Sequence, residues 1–154
     1  MTSKLLVAAT AIAFSSITAT AEDMSLNNLP DPNSRQQLQM PEPAKNTLKI
    51  EMLERLKALQ VIMQSVADGK PQDAAQIAKA GIGMGVMMRH GMRSAEALPR
   101  NYMPESMQPL SKQSHMLGDE LSEALKSGDR KRIDDKLAEV LGNCVACHNL
   151  FRMN

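Results

Sequence analysis

Between residues 44 and 67 an apolar side chain returns every three or four positions: Leu48, Met52, Leu56, Leu59, Met63 and Val66. That period sets all six on one face of a first helix, spanning roughly 44–67. Asp68-Gly69-Lys70 closes it, with glycine as the stop, and Pro71 suits the first turn of a second helix. The second helix is predicted to reach about Ala95, although Gly81, Gly83 and Gly85 interrupt it. Each glycine costs up to ~1 kcal/mol relative to alanine in a helix interior. Either a neighbour approaches closely there or the helix breaks locally, and the pattern leaves both readings open. Prolines at 99, 104 and 109 mark a connection. A third helix is predicted over about 108–126, ending at Ser127-Gly128, and a fourth, capped by Asp129, runs close to residue 154. In that last helix Ile133, Leu137, Val140 or Leu141, Cys144, His148 and Phe151 share a stripe. The segment 22–44, with Pro30, Pro32, Pro41 and Pro43 among polar residues, has no apolar period and reads as an extended or disordered lead.

The first residues are of another kind. Lys4, the apolar run Leu5–Phe14 and the ending Ala19-Thr20-Ala21 describe a secretory signal peptide over 1–21, cleaved near Ala21. Its apolar run is too short for the ~20 residues a membrane-spanning helix needs. The expected product is an exported, periplasmic, single-domain protein without stable membrane insertion. Loss of Lys4 leaves its basic residues matched to its 17 acidic ones, and no basic patch points to nucleic acid. Aromatics are scarce, with one Tyr, two Phe and no Trp against 13 Met. A Met-, Leu- and Ala-rich interior suits a helical bundle able to adapt around a large flat group.

The chemistry concentrates in Cys144-Val145-Ala146-Cys147-His148. Two thiols three residues apart, followed at once by an imidazole, form the attachment signature of a c-type haem. Each thiol can add across one vinyl group to form a thioether, and the histidine is then held where its ring can bind the iron. Two other uses compete. A thioredoxin-like pair normally lies where a strand enters a helix, whose N-terminus lowers the thiol pKa; here the pair lies near a helix end with no strand before it. A zinc site would have three ligands from Cys144, Cys147 and His148 and no paired knuckle for the fourth. No paired-carboxylate site, nucleophile with a base or phosphate loop suggests an enzyme.

Four helices after an export signal, with this motif near the end of the last, resemble the cytochrome c-prime and cytochrome c556 family. The run Cys144-Val145-Ala146-Cys147-His148-Asn149-Leu150-Phe151-Arg152 is similar to that family's terminal motif, in which an aromatic and a basic residue follow the histidine. The resemblance implies an all-α, antiparallel up-down-up-down four-helix bundle over 45–154. One haem c per chain would be attached through Cys144 and Cys147, with His148 as proximal ligand and Arg152 as the basic residue near the proximal pocket. In such a bundle the end of the fourth helix lies beside the start of the first. Met52 is there, where c556-like members carry their axial methionine; Met63 is roughly 16 Å further along at 1.5 Å per residue. The metal ligands expected are therefore His148 and Met52. Leu48 stands where c-prime members often carry an arginine, a departure from their pattern. Met88, His90, Met92, Met103, Met107 and His115 fall in the same region as pocket residues or rival ligands, with His90 expected at the surface.

Two functions are then expected to compete. With both iron faces filled, the chain would carry electrons between redox partner proteins, its near-neutral charge giving weak steering. With no distal ligand it would bind nitric oxide or carbon monoxide, as c-prime members are thought to do. The resemblance also implies a homodimer as a further partner, since family members often pair through their first two helices.

Overall fold

The computed structural model describes residues 30–153; the expected signal peptide and the start of the lead lie outside them. The described chain is all-α but for one pair of two-residue strands. In order come a 3-10 turn at Pro32–Ser34, β1 (Gln36–Gln37), α1 (Glu42–Ala67), a second 3-10 turn at Pro71–Ala74, α2 (Ala75–Gly81) and α3 (Gly85–His90). Two further 3-10 turns, Ala95–Ala97 and Pro99–Asn101, precede α4 (Gln108–Ser127), α5 (Arg130–Leu150) and β2 (Phe151–Arg152). Among the described residues no helix is long and apolar enough to cross a membrane.

The helix ends follow from their residues. Pro43 and Pro109 lie in the first turns of α1 and α4, where the missing N–H has no intrahelical partner to lose. Gly128, at φ 69°, takes the left-handed conformation that ends α4. Asp129 then caps α5 by accepting a 3.1 Å hydrogen bond from the Arg132 backbone N–H.

The second predicted helix is instead two short ones, and it stops at His90 rather than near Ala95. Both readings of its glycines hold, at different positions. A Cβ on Gly81 would lie 2.6 Å from the Ala58 Cβ, so α2 presses directly on α1. Between α2 and α3 the ladder breaks, and α4 fills the break. A Cβ on Gly118 of α4 would lie 2.6 Å from the Ile82 carbonyl carbon. The Ser122 hydroxyl donates to the Ala75 carbonyl at 2.7 Å and ties the same two elements together.

The buried face of α1 differs from the predicted stripe. Leu56 and Met63 are exposed, whereas Ala44, Leu48, Ala58, Leu59, Ile62 and Val66 are buried. The inward line runs 48, 52, 55, 59, 62, 66, alternating steps of four and three. It passes through Arg55, an unexpected residue in that row.

The Pro-rich lead, over its described part, makes an exposed 3-10 turn at Pro32–Ser34 and then runs extended against the molecule. β1 pairs in parallel with β2, Gln36 opposite Phe151 and Gln37 opposite Arg152. The Leu38 N–H donates to the Arg152 carbonyl at 2.9 Å. Leu38 and Met40 are buried against Phe151, Leu48 and Met107. A second, larger cluster joins α1, α2, α4 and α5 through Leu59, Ile62, Ala78, Leu121, Leu125 and Ile133.

Candidate functional site

A cavity of about 1000 Å³ opens between α1, α3, α4, α5 and the connection before α4. It is at the upper end of the ~300–1,000 Å³ range of ligand cavities. Met52, on the inward line of α1, lines it together with Cys144, Cys147 and His148 of α5. Leu48, Leu59, Val86 and Leu98 supply much of its apolar wall. The thiols and the imidazole share the cavity because positions 144, 147 and 148 are one helical turn apart or less. Met52 and Cys147 both pack on the cluster built around Met107 and Phe151.

The thiols do not suit redox exchange. Both lie deep in α5, far from its N-terminus, so no helix dipole lowers their pKa. Burial pushes the Cys144 thiol up, against an opposing pull from Arg55. Burial likewise raises Cys147, with the charge of Cys144 adding to it. A nucleophilic thiol needs the reverse shift. Among the described residues, no group of three or more His, Cys, Asp or Glu side chains could hold a metal ion, the donor set that zinc requires.

The rival ligands separate clearly. Met103 and Met107 line the cavity, whereas Met88 and Met92 are exposed and outside its lining. His90 is buried, not at the surface as expected. The Arg93 Nε–H donates to His90 Nδ1 at 3.0 Å, so the ring proton is on Nε2, which donates to Glu54 at 3.1 Å. Glu54 also accepts from Arg89 at 3.2 Å. Burial works to raise the Glu54 carboxyl, but these hydrogen bonds outweigh it and hold the pKa below the usual range. His115 is buried too. Its Nδ1 faces the Ile82 and Gly83 carbonyls at 3.2 and 3.1 Å and must carry the proton, leaving Nε2 to accept from Arg55 at 3.4 Å. Both nitrogens of each ring are engaged, so neither histidine presents a free lone pair to the cavity.

Arg152 is not one helical turn beyond His148. The helix ends at Leu150, and Arg152 is in β2, with its Nε–H donating to the Arg35 carbonyl at 3.3 Å. It is not among the cavity-lining residues. The reason is the pairing with β1, which draws the chain out of helical geometry at Phe151. Arg35 in turn donates to the His148 carbonyl at 3.4 Å, so the lead holds the end of α5 from outside.

The sequence reading missed Arg55 and Glu51. Both line the cavity, one turn apart on α1 and on either side of Met52. Arg55 donates to the Ser114 hydroxyl at 2.8 Å, and burial lowers its pKa while Glu51 and the two thiols oppose that. Burial raises the Glu51 carboxyl, with Arg55 opposing. A signal was present: Arg55 occupies a core position in the four-three alternation from 48 to 66. No family model, curated protein or solved structure matches this chain.

Proposed function

We propose that the protein is an exported c-type cytochrome that carries electrons. Its helices would form an antiparallel four-helix bundle akin to the cytochrome c-prime and c556 family. One haem c would be attached through Cys144 and Cys147, with His148 as proximal and Met52 as distal ligand. The observation that carries this reading is the convergence of Met52, Cys144, Cys147 and His148 on one large apolar-walled cavity.

The residues fit such a group. Two thiols on one face of α5 can each add S–H across a vinyl double bond, the proton going to carbon, without competing as redox thiols. Bound haem supplies a one-electron iron couple. His148, next in sequence to an attachment point, is held where a ring nitrogen can face the iron. A thioether from Met52 is a soft ligand that favours ferrous over ferric iron. Leu48, Leu59, Val86 and Leu98 give the group an apolar wall, which would limit reorganisation on electron transfer. The exposed side chains of Leu53 and Leu56, which also line the cavity, would leave an apolar rim for a redox partner. Export would follow from the signal at 1–21, and the near-neutral chain would meet its partner without strong long-range steering.

The test is expression with a complete haem-maturation system, followed by mass spectrometry and absorption spectra. Covalent haem with sharp low-spin reduced bands is expected. Met52→Ala should give a high-spin spectrum that shifts readily with carbon monoxide. An unchanged spectrum in that variant removes Met52 as ligand; a wild-type high-spin form that binds carbon monoxide makes the chain a gas binder. A matured chain with no added mass ends the haem reading.

A further inference from the structure

Arg55 has a cation's environment only in part. It lies on the inward line of α1, one turn beyond Met52, and its guanidinium faces the cavity that also holds both cysteines. A guanidinium has five N–H donors. One donates at 2.8 Å to the Ser114 hydroxyl, and a second makes a long 3.4 Å contact with His115 Nε2. The Nε–H is buried without any hydrogen-bond partner. Among the described residues no carboxylate forms an ion pair with it: the adjacent Glu54 is paired with Arg89 and His90, and Glu51, one turn back on the cavity wall, is beyond ion-pair range. Arg55 is half-buried, and a charge drawn largely out of water in a folded protein is normally paired. The side chains that hold Arg55 add no charge: Ser114 is neutral, and His115 accepts through a neutral ring. Glu51 acts on Arg55 only across the cavity and without an ion pair, which leaves room for a hydrogen-bonded anion from what enters the cavity.

We infer that Arg55 is the anion anchor of this cavity and that its partner is a carboxylate of the bound tetrapyrrole. This rests on the haem reading above. A planar guanidinium whose remaining terminal N–H groups are not taken up by Ser114 and His115 suits a carboxylate, which can accept from two N–H groups at once. Ser114 and His115, which also line the cavity, hold the guanidinium, so they act as positioning residues. Arg100 and Lys112 also line the cavity, but they are exposed and solvated and need no counter-ion from it.

The experiment uses the full chain carrying Cys144→Ala and Cys147→Ala, so that haem binds reversibly. Affinities are measured for haem and for haem dimethyl ester, whose carboxylates are blocked. The free acid should bind about tenfold or more tightly than the ester, the scale of a charge-assisted hydrogen bond. Arg55→Gln should abolish that preference while ester affinity stays within about twofold, and R55K should retain part of it, with far-UV circular dichroism confirming the fold of each. Arg100→Gln and Lys112→Gln should leave the preference in place. If R55Q keeps the full preference, or R100Q or K112Q removes it, Arg55 is not the anchor and the inference fails while haem binding stands. If neither this chain nor the matured wild type takes up haem, the haem reading fails first and this inference with it.

Discussion

Two ends of the molecule are packed from different side chains. The larger cluster, where α1, α2, α4 and α5 meet, consists of Ala, Leu, Ile and Val, with Ile62, Leu121, Leu125 and Ile133 fully buried. The smaller cluster, beside the cavity, centres on Met40, Met107, Leu38, Leu48 and Phe151, with Met52, Met103, Met153 and Tyr102 around it. Both aromatic side chains of the described residues are there. Stiff, branched side chains interlock into one arrangement, whereas unbranched methionines adapt to an irregular or changing neighbour. The cavity lies at the adaptable end. One half of the molecule supplies rigidity, and the other supplies a surface that can conform to a large ligand.

The sharpest way to break that contrast is to delete matched volumes from each end. Leu121→Ala, in the rigid cluster, should cost about 3–5 kcal/mol by chemical denaturation, because its neighbours cannot collapse inward. If the protein carries haem as proposed, this variant should leave its absorption spectrum unchanged. Leu48→Ala, on the cavity wall, should cost nearer ~2 kcal/mol, at the low end for a core leucine, and should move the spectrum. Equal costs and equal spectral effects would erase the distinction.

Gly118→Ala tests how tightly α4 fills the break between α2 and α3. The added methyl meets backbone at Ile82 and Gly83 rather than a flexible side chain, so a loss of about 1–3 kcal/mol is expected. A variant as stable as wild type would mean that the break yields easily.

Acid should act through the cavity end. Burial, aided by the charge of Arg55, lowers the pKa of His115 from its ordinary value near 6.5. The unfolded chain then binds more protons than the folded one. Stability from this site is full above about 6.5 and is lost as pH falls towards the lowered folded value. Glu51 has the opposite sign in a lower window, because burial raises it from 4.5 and its folded form loses stability as pH rises there. In a Glu51→Gln background, His115→Asn should flatten the fall in stability below 6.5; an unchanged slope would acquit His115. The smallest effect is expected at the surface. Arg130 and Asp134 are both exposed and meet at 2.8 Å, and Asp134→Ala should change stability by less than about 0.5 kcal/mol.

Much of the secondary structure was legible from local pattern. The spans of α1 and α4 and the start of α5 follow from apolar period, Pro43, Pro109, Gly128 and the Asp129 cap, each a matter of neighbours within four residues; the end of α5 depends instead on pairing with the distant β1. The register of α1 was less legible: Leu56 and Met63 fit a helical face as well as Arg55 and Ile62 do, and hydrophobicity alone prefers the wrong pair. His90 was misread for the same reason, since its burial depends on Glu54 and Arg93 lying on either side of the ring.

By itself, the sequence determined which segments are broadly helical, where the first and third predicted helices stop, and that two thiols and an imidazole share one turn, because those properties depend on short-range hydrogen bonding and periodicity. Only the tertiary structure decided that Met52 shares their cavity and that Arg55 is half-buried there without an ion pair. It alone placed Arg152 in a strand beside the Pro-rich lead. Each of these depends on elements tens of residues apart, with an outcome set by packing and by which polar groups find partners, and no local pattern encodes that.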